Sequence, residues 1–447
     1  MCQTIVTALQ KRICHYIYTR RDITLNATSL SKSELEALLQ TFSADYAAAK
    51  DKGLNLDLTR GKPSSAQLDL ANDMDQILNG DFTLDGTDLR NYGGVDGLPA
   101  TKQLFAAMGD VSADSILVGG NSSLTLMQQS VMFSHVFGLD QDSWLSQGVT
   151  PVFICPVPGY DRHFSVCEQL GIKMVTVAMD ENGPDMDAVE ALIESNPDVR
   201  GMWCVPRFSN PTGIVYSDEV VARIAKLGKI AHPSFKVFYD NAYTVHHLER
   251  SATPLTPIQP LLQENGTEES VIQFGSTSKI TFAGAGVAYL SAGPNTLAAL
   301  KKHLSNVTIG PDKLNQAKHV KFLKDKETLL NHMDGHAAIL KPKFDSVLSK
   351  LDAAFTENGW ASWTVPEGGY FVSLDVQASL AKKVVKLAAE AGVKLTPAGA
   401  TFPYGDDPKD ENIRIAPSVP PLAEVDAAMD VLVTCVQLAT VEQALAN

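Results

Sequence analysis

The chain has 447 residues, with 37 lysines and arginines against 51 aspartates and glutamates and a formal net charge of −14. A chain this acidic lacks the basic footprint of a general nucleic-acid binder, and no apolar run is long enough to span a bilayer. Its length exceeds the size at which one hydrophobic core stops growing, which predicts a large domain and a smaller one.

Cysteine and histidine spacing exclude two further classes of protein. The six cysteines form no CxxC pair and are too sparse for a disulfide framework, which favours a reducing, cytoplasmic location. His246 and His247 are adjacent rather than four residues apart on a helix, so we expect no metal site.

The N-terminal part begins with a basic segment and continues with a capped helix. Residues 1–27 lack the apolar core and cleavage-like end of a targeting peptide, and we interpret them as a frayed or mis-started N-terminal extension. A capped amphipathic helix is predicted from Ser29 to Lys50, on the pattern Ser31-Lys-Ser-Glu-Leu-Glu-Ala-Leu-Leu. The loop after a short strand at 54–58 contains Arg60 and Gly61, which either border a site or are solvated.

Short apolar strands and helical segments alternate through the middle of the chain. Such alternation predicts βαβ units and a mostly parallel sheet, in which ligands bind at the carboxyl ends of the strands. The polar residues that follow the predicted strands are Asn121, Ser122, Tyr160, His163, Asn210, Asp240, Tyr243, Ser276, Ser278 and Lys279.

Two of these strand ends indicate specific chemistry. The small-residue turn at 119–123 precedes a helix, whose free N–H groups suit a phosphate, although a plain serine cap explains the pattern as well. Lys279 stands between hydroxyl residues and a glycine-broken apolar run, where loss of hydration lowers the pKa of an amine nucleophile. The alternative is a lysine whose stem packs while its ammonium reaches water. The run at 284–289 begins like a dinucleotide-binding motif but lacks its third glycine, so we do not interpret it as one.

The region after residue 300 changes to long helical patterns, including one amphipathic helix predicted over 318–333. The C-terminal segments predict an α+β arrangement, with Arg414 inside an apolar strand. A buried arginine needs an anionic partner, which is either a structural salt bridge or a carboxylate ligand.

Taken together, the motifs Asn210-Pro-Thr-Gly, Asp240-x-x-Tyr243, Ser276-x-Ser278-Lys279 and Arg414 resemble the fold type I pyridoxal-phosphate aminotransferases, over roughly residues 55 to 440. The run that follows Ser276 resembles the divergent aspartate aminotransferases of actinobacterial type. The resemblance implies an α/β fold with a mostly parallel, seven-stranded-type sheet. It places the large cofactor-binding domain at 75–324 and the smaller α+β domain at 28–74 and 325–447.

The resemblance also implies roles around the cofactor ring. Lys279 would attach covalently to the cofactor aldehyde and later move a proton, and Asp240 would hold the pyridine nitrogen protonated. His163 would support Asp240. The remaining ring contacts would come from Asn210, Tyr243 and Tyr160.

Phosphate and substrate contacts follow from the same resemblance. The phosphate would be surrounded by Asn121, Ser122, Ser276, Ser278 and Tyr92, the last from a second subunit of a homodimer. Many relatives have a phosphate-binding arginine where this chain has Gly286, so hydroxyls, N–H groups and a lysine such as Lys313 would replace it. Arg414 would bind the substrate α-carboxylate, with Arg60, Gly61 and Lys313 as candidates near the side chain.

The implied reaction is a ping-pong exchange of an amino group between L-aspartate and 2-oxoglutarate. Alternatives are an aminotransferase for aromatic, aminoadipate or branched amino acids, or a related pyridoxal-phosphate lyase. A further alternative is a non-enzymatic, pyridoxal-phosphate-binding regulator, although the roughly fifty residues before the match are short for a DNA-binding module.

Overall fold

The computed structural model describes residues 30–446, so the predicted extension at 1–27 lies outside the described residues. The α-helices are α1 Lys32–Asp51, α2 Ser65–Asp69, α3 Pro99–Gly109, α4 Ser123–Val136, α5 Asp161–Gln169, α6 Met186–Ser195, α7 Asp218–Ile224, α8 Ile258–Asn265, α9 Pro294–Leu304, α10 Lys313–Leu323, α11 Lys326–Phe355, α12 Ala381–Glu390 and α13 Leu422–Ala446. Among these helices, none is both long and apolar enough to cross a bilayer.

The strands are β1 Leu56–Asp57, β2 Thr83–Leu84, β3 Thr87–Asp88, β4 Ile116–Val118, β5 Val152–Val157, β6 Lys173–Asp180, β7 Gly183–Pro184, β8 Val199–Cys204, β9 Lys236–Asp240, β10 Val271–Ser276, β11 Ala288–Ala292, β12 Ser362–Trp363, β13 Val372–Asp375, β14 Val393–Lys394 and β15 Asn412–Ile415.

One large sheet organises the middle of the chain. Its order is β4-β11-β10-β9-β8-β5-β6-β7, and the central pairs β10-β9, β9-β8, β8-β5 and β5-β6 are parallel. The antiparallel pairs of this sheet are β10-β11, β11-β4 and the pair of β6 with the two-residue edge strand β7. Strands β8, β9 and β10 are buried at every position, as expected for a parallel sheet covered on both faces. The predicted α/β class with a mostly parallel sheet is confirmed.

The carboxyl ends of five strands bring the predicted polar residues to one edge of this sheet. Strand β9 ends at Asp240 itself, and β10 ends at Ser276, three residues before Lys279. Strands β4, β5 and β8 lead to Ser122, Tyr160 and Asn210 in the same way. The fold therefore brings together residues that are distant in sequence, such as Asn121 and Ser278, which are 157 positions apart and share a hydrogen bond.

A second hydrophobic core joins the two ends of the described chain. It contains Leu35 of α1, Phe344 of α11 and Leu432 of α13, together with the three-stranded sheet β12-β13-β15. Strand β1 pairs in parallel with β14, which ties the N-terminal segment to the C-terminal one. The domain limits at 74/75 and 324/325 stay a prediction.

The prediction of one continuous helix over 318–333 is wrong, because the structure has two helices there. Helix α10 ends at Leu323, and Lys324 adopts a left-handed backbone with φ 54°. Asp325 then caps α11 by accepting a hydrogen bond from the Thr328 N–H at 2.8 Å. Apolar periodicity continues across the break, so only the N-cap residue marks it in the sequence.

Candidate active site

A pocket lies at the carboxyl edge of the large sheet. Its lining combines hydroxyls, an amide, a carboxylate and an amine with a few apolar side chains. The lining residues are Ser122, Ser123, Leu124, Met127, Tyr160, Val205, Asn210, Asp240, Ala242, Tyr243, Ser276, Ser278 and Lys279. The structure thus brings together most of the predicted cofactor contacts, and it adds Ser123, Met127 and Val205, which sequence reasoning missed because apolar and single serine positions carry no motif.

Asp240 presents one free carboxylate oxygen to this pocket. Its Oδ2 lies 3.1 Å from Nε2 of His163, whose ring is sandwiched by Trp203 at 4.2 Å between centroids and by the edge of Tyr160. The other oxygen, Oδ1, is buried and has no hydrogen-bond partner in the described structure. A buried acceptor without a donor is costly, so this oxygen suits a ligand that carries an N–H group.

Lys279 lies over the Tyr243 ring, with Nζ 4.9 Å from the ring centroid. Burial lowers the pKa of the Lys279 ammonium, and the nearby Asp240 carboxylate opposes this shift only in part. A larger fraction of the amine is therefore unprotonated, which is the form that attacks a carbonyl group. Burial raises the pKa of Tyr243, so its hydroxyl stays protonated.

The backbone that carries Lys279 is held by a cluster of histidines. The Lys279 carbonyl accepts a hydrogen bond from His246 at 3.3 Å. The Ile280 carbonyl accepts bonds from His332 at 2.6 Å and His336 at 2.9 Å, both on α11. Sequence reasoning missed this pair because its partner is a backbone carbonyl. Within residues 30–446, no group of three or more histidine, cysteine, aspartate or glutamate side chains is arranged to hold a metal ion. The contacts of His332 and His336 with the Ile280 carbonyl make both of them hydrogen-bond donors.

From the burial of these histidines we predict that the free energy of unfolding decreases in acid. Burial, reinforced by His332, lowers the pKa of His336 from 6.5 to about 4. Between these values the unfolded chain binds a proton at His336 that the native state does not, so the free energy of unfolding falls as the pH drops through this window. The loss is roughly 3 kcal/mol and levels off below the lower value. We expect denaturant titrations to show it.

The matched control for this measurement is His336→Gln, which keeps an amide donor for the Ile280 carbonyl and removes the titrating group. Its free energy of unfolding should depend less steeply on pH over the same window. Parallel pH curves for the two proteins would contradict the assignment.

Hydroxyl groups occupy the end of the pocket where phosphate binding was predicted. Ser278 Oγ donates to the Asn121 carbonyl at 2.7 Å, and Ser276 and Ser122 line the pocket beside it. A Cβ at Gly286 would approach the Ser278 Oγ to 2.8 Å and its backbone nitrogen to 2.9 Å. An arginine side chain at position 286 would therefore displace the loop that carries the Ser278 hydroxyl. This steric conflict accounts for the absence of the arginine that many relatives have at this position.

Three of the predicted phosphate contacts lie outside the pocket lining of their own chain. The Asn121 amide donates to the Gly284 carbonyl at 3.3 Å, in a neighbouring cavity of about 880 Å³. Lys313 is buried at the first position of α10 and does not line the pocket either. Tyr92 is 79% exposed on its loop, so its hydroxyl does not contact the site of its own subunit.

Arg414 is buried and contacts Asn210, a residue of the pocket lining. Its Nη1 donates to Asp161 Oδ1 at 2.9 Å and to Asn210 Oδ1 at 3.2 Å. Its guanidinium carbon lies 5.1 Å from the ring centroid of Phe371, and Gly61 packs against the same ring, where a side chain would collide. Gly61 therefore supports the arginine through Phe371 rather than directly, whereas Arg60 is exposed and does not line the pocket.

Comparison with known proteins agrees with this geometry. A family model described as aspartate amino-transferase matches residues 30–447. Over 431 residues the chain is 44% identical to an aspartate aminotransferase of Corynebacterium glutamicum, covering 95% of this chain and 99% of the relative. The crystal structure of an aspartate transaminase from the same species has a TM-score of 0.90 at 43% identity, covering 94% of this chain and 99% of that one.

A more distant structure shows the same fold. The alpha-aminoadipate aminotransferase of Thermus thermophilus, complexed with N-(5'-phosphopyridoxyl)-L-leucine, has a TM-score of 0.70 at 21% identity, over 91% of this chain and 97% of that one. The predicted fold type I architecture is confirmed, and the homologues decide against the non-enzymatic regulator. The chain belongs to the aspartate aminotransferase family and is a transaminase.

Proposed function

We propose that this chain transfers the amino group between L-aspartate and 2-oxoglutarate with pyridoxal 5'-phosphate as cofactor, giving oxaloacetate and L-glutamate. The observation that carries the proposal is one pocket that holds an amine with a lowered pKa, Lys279, and a buried carboxylate oxygen without a donor, on Asp240. The 44% identity to the Corynebacterium glutamicum aspartate aminotransferase supports the choice of substrate.

The residues present fit this cofactor. The free Oδ1 of Asp240 suits a protonated pyridine nitrogen, and the hydroxyls of Ser122, Ser276 and Ser278 suit a phosphate. The amide nitrogen of Asn210 and the hydroxyl of Tyr243 supply donors for the ring oxygen, because Asn210 turns its amide oxygen toward Arg414. Tyr160, also in the lining, offers an aromatic face for stacking.

When bound, pyridoxal 5'-phosphate supplies an aldehyde that exchanges amino groups and a ring that takes up the electrons of the broken Cα–H bond. Lys279 would hold the cofactor covalently, and its amine would take the proton from Cα of the substrate. Asp240 keeps the ring nitrogen protonated, and His163 keeps Asp240 oriented. Arg414 binds the α-carboxylate and so sets the Cα–H bond toward Lys279.

We propose a homodimer with shared sites. Tyr92 is exposed and absent from its own pocket, so it suits the phosphate of a second copy. Gly310 lies against the backbone of Gly93, and the neighbouring side chains of Ile309 and Tyr92 are both exposed. An apolar patch of this kind suits burial against another subunit. We keep the cytoplasm as the proposed location, which suits the buried thiols of Cys155, Cys167, Cys204 and Cys435.

The visible spectrum of the purified protein tests the proposed function. We expect the absorption band of the bound cofactor to fade when L-aspartate is added and to return with 2-oxoglutarate, since each half-reaction converts one cofactor form into the other. The control is a panel of aromatic, branched and aminoadipate substrates at the same concentration. A band that responds to one of these and not to L-aspartate would show that the substrate is wrong, and a protein that takes up no cofactor would refute the whole assignment.

A further inference from the structure

The hydrogen-bond donors of Arg414 are almost fully engaged within the chain itself. Nε and Nη2 both point to Thr396 Oγ1 at 3.3 Å, and Nη1 donates to Asp161 and Asn210. These contacts use four of the five N–H groups of the guanidinium. A carboxylate that binds as a two-pronged fork needs two parallel donors. One of these hydrogen-bond partners must therefore leave before Arg414 can bind a substrate carboxylate through two parallel donors.

We propose that Asp161 is an internal carboxylate that neutralises Arg414 in the empty site and is displaced by the α-carboxylate of the substrate. The proposal rests on the substrate-binding role given to Arg414 above. A buried guanidinium without an anion is costly, so the empty site needs a counterion. Asp161 Oδ1, 2.9 Å from Nη1, supplies it.

Asp161 is the partner that can move. Thr396 is buried, and its hydroxyl is committed to the Thr59 carbonyl at 3.0 Å. Asn210 is 3% exposed and lines the cofactor pocket, so its displacement would disturb the ring contacts. The Asp161 side chain is 32% exposed and stands at the first position of α5, where the positive end of the helix and water both stabilise a released carboxylate.

This exchange gives Asp161 a role in specificity. A ligand that carries a carboxylate replaces one anion by another, so the charge of Arg414 remains balanced. An amine without a carboxylate leaves the Asp161 pair intact and gains no contact with the guanidinium. The same competition weakens the binding of every acid, because part of the interaction energy is spent on displacing Asp161.

The test compares the dissociation constant of succinate, an unreactive dicarboxylate, for the cofactor-loaded wild-type protein and the Asp161→Asn variant by titration calorimetry. Asparagine keeps an oxygen acceptor for Nη1 and removes the competing charge. We expect the dissociation constant to fall by roughly three- to tenfold, the effect of removing a partly exposed charged competitor.

Glu168→Gln is the matched control, because it removes one charge from an exposed position of the same helix. Its dissociation constant should equal that of the wild type, and an equal decrease in both variants would mean general electrostatics and overturn the proposal. A rise in Asp161→Asn would show that Asp161 only orients Arg414, and no change would show that it does not compete. The proposed function is tested by a separate measurement, and it fails if L-aspartate leaves the visible spectrum of the wild-type protein unchanged.

Discussion

We expect Lys279→Ala to lower the rate of amino transfer by at least about 10³-fold, because a positioned proton-transfer group alone contributes 10²- to 10⁴-fold. No other described amine lines the pocket, so no neighbouring lysine can take over the proton at Cα. The measurement is the first-order rate of the spectral change after L-aspartate is added to the cofactor-loaded protein, which isolates one half-reaction from product release.

The variant should still take up cofactor, since Asp240, Asn210 and the three serines remain in place. Lys173→Ala is the control, because it removes an exposed lysine of β6 that does not line the pocket. Its rate should match that of the wild type. A Lys279→Ala protein that keeps a tenth or more of the wild-type rate would refute the catalytic role of this lysine.

The part of the site that follows the strand ends is predictable from local sequence. Asp240 and Lys279 each follow a short, apolar, buried run, and parallel strands place their carboxyl ends at one edge of the sheet. The strand pattern alone therefore predicts that Asp240 and Lys279 lie close together. The same reasoning works for Tyr160 and Asn210, which follow β5 and β8.

Long-range polar contacts were not predictable in this way. Asp161 and Arg414 are 253 residues apart, and neither position indicates the other in a single sequence. His332 and His336 donate to a carbonyl, a group that every residue possesses, so no motif records their partner. Their spacing alone would equally suit a metal site. Such contacts depend on how α11 and the pocket loops pack, which local propensity does not encode.

Tyr92 shows why a contact with a second subunit is harder to predict than a contact within one chain. Its loop is rich in glycine, and the resemblance predicts that it reaches the phosphate of another subunit. The structure shows a side chain exposed to solvent in its own chain, which agrees with that expectation without testing it. A single chain contains no information on a surface that is completed by a second copy.

The second large effect is expected for Asp240→Asn, which should lower kcat by about 10²- to 10³-fold, the range for the loss of one preorganised electrostatic contact. Asparagine has nearly the shape of aspartate and can still bond His163, but its neutral amide does not stabilise a proton on the pyridine nitrogen. Since Oδ1 of Asp240 is buried, water cannot replace the missing charge.

The measurement is kcat for L-aspartate and 2-oxoglutarate in the wild type, Asp240→Asn and Asp240→Glu. Glutamate keeps the charge and shifts its position, so we expect it to retain more activity than asparagine. His163→Gln separates charge from orientation, because it leaves the Asp240 side chain in place and replaces only the donor at 3.1 Å from Oδ2. Its kcat should fall less than that of Asp240→Asn. If asparagine at 240 supports the wild-type kcat, the carboxylate does not act on the ring nitrogen, and the unpaired oxygen has another ligand.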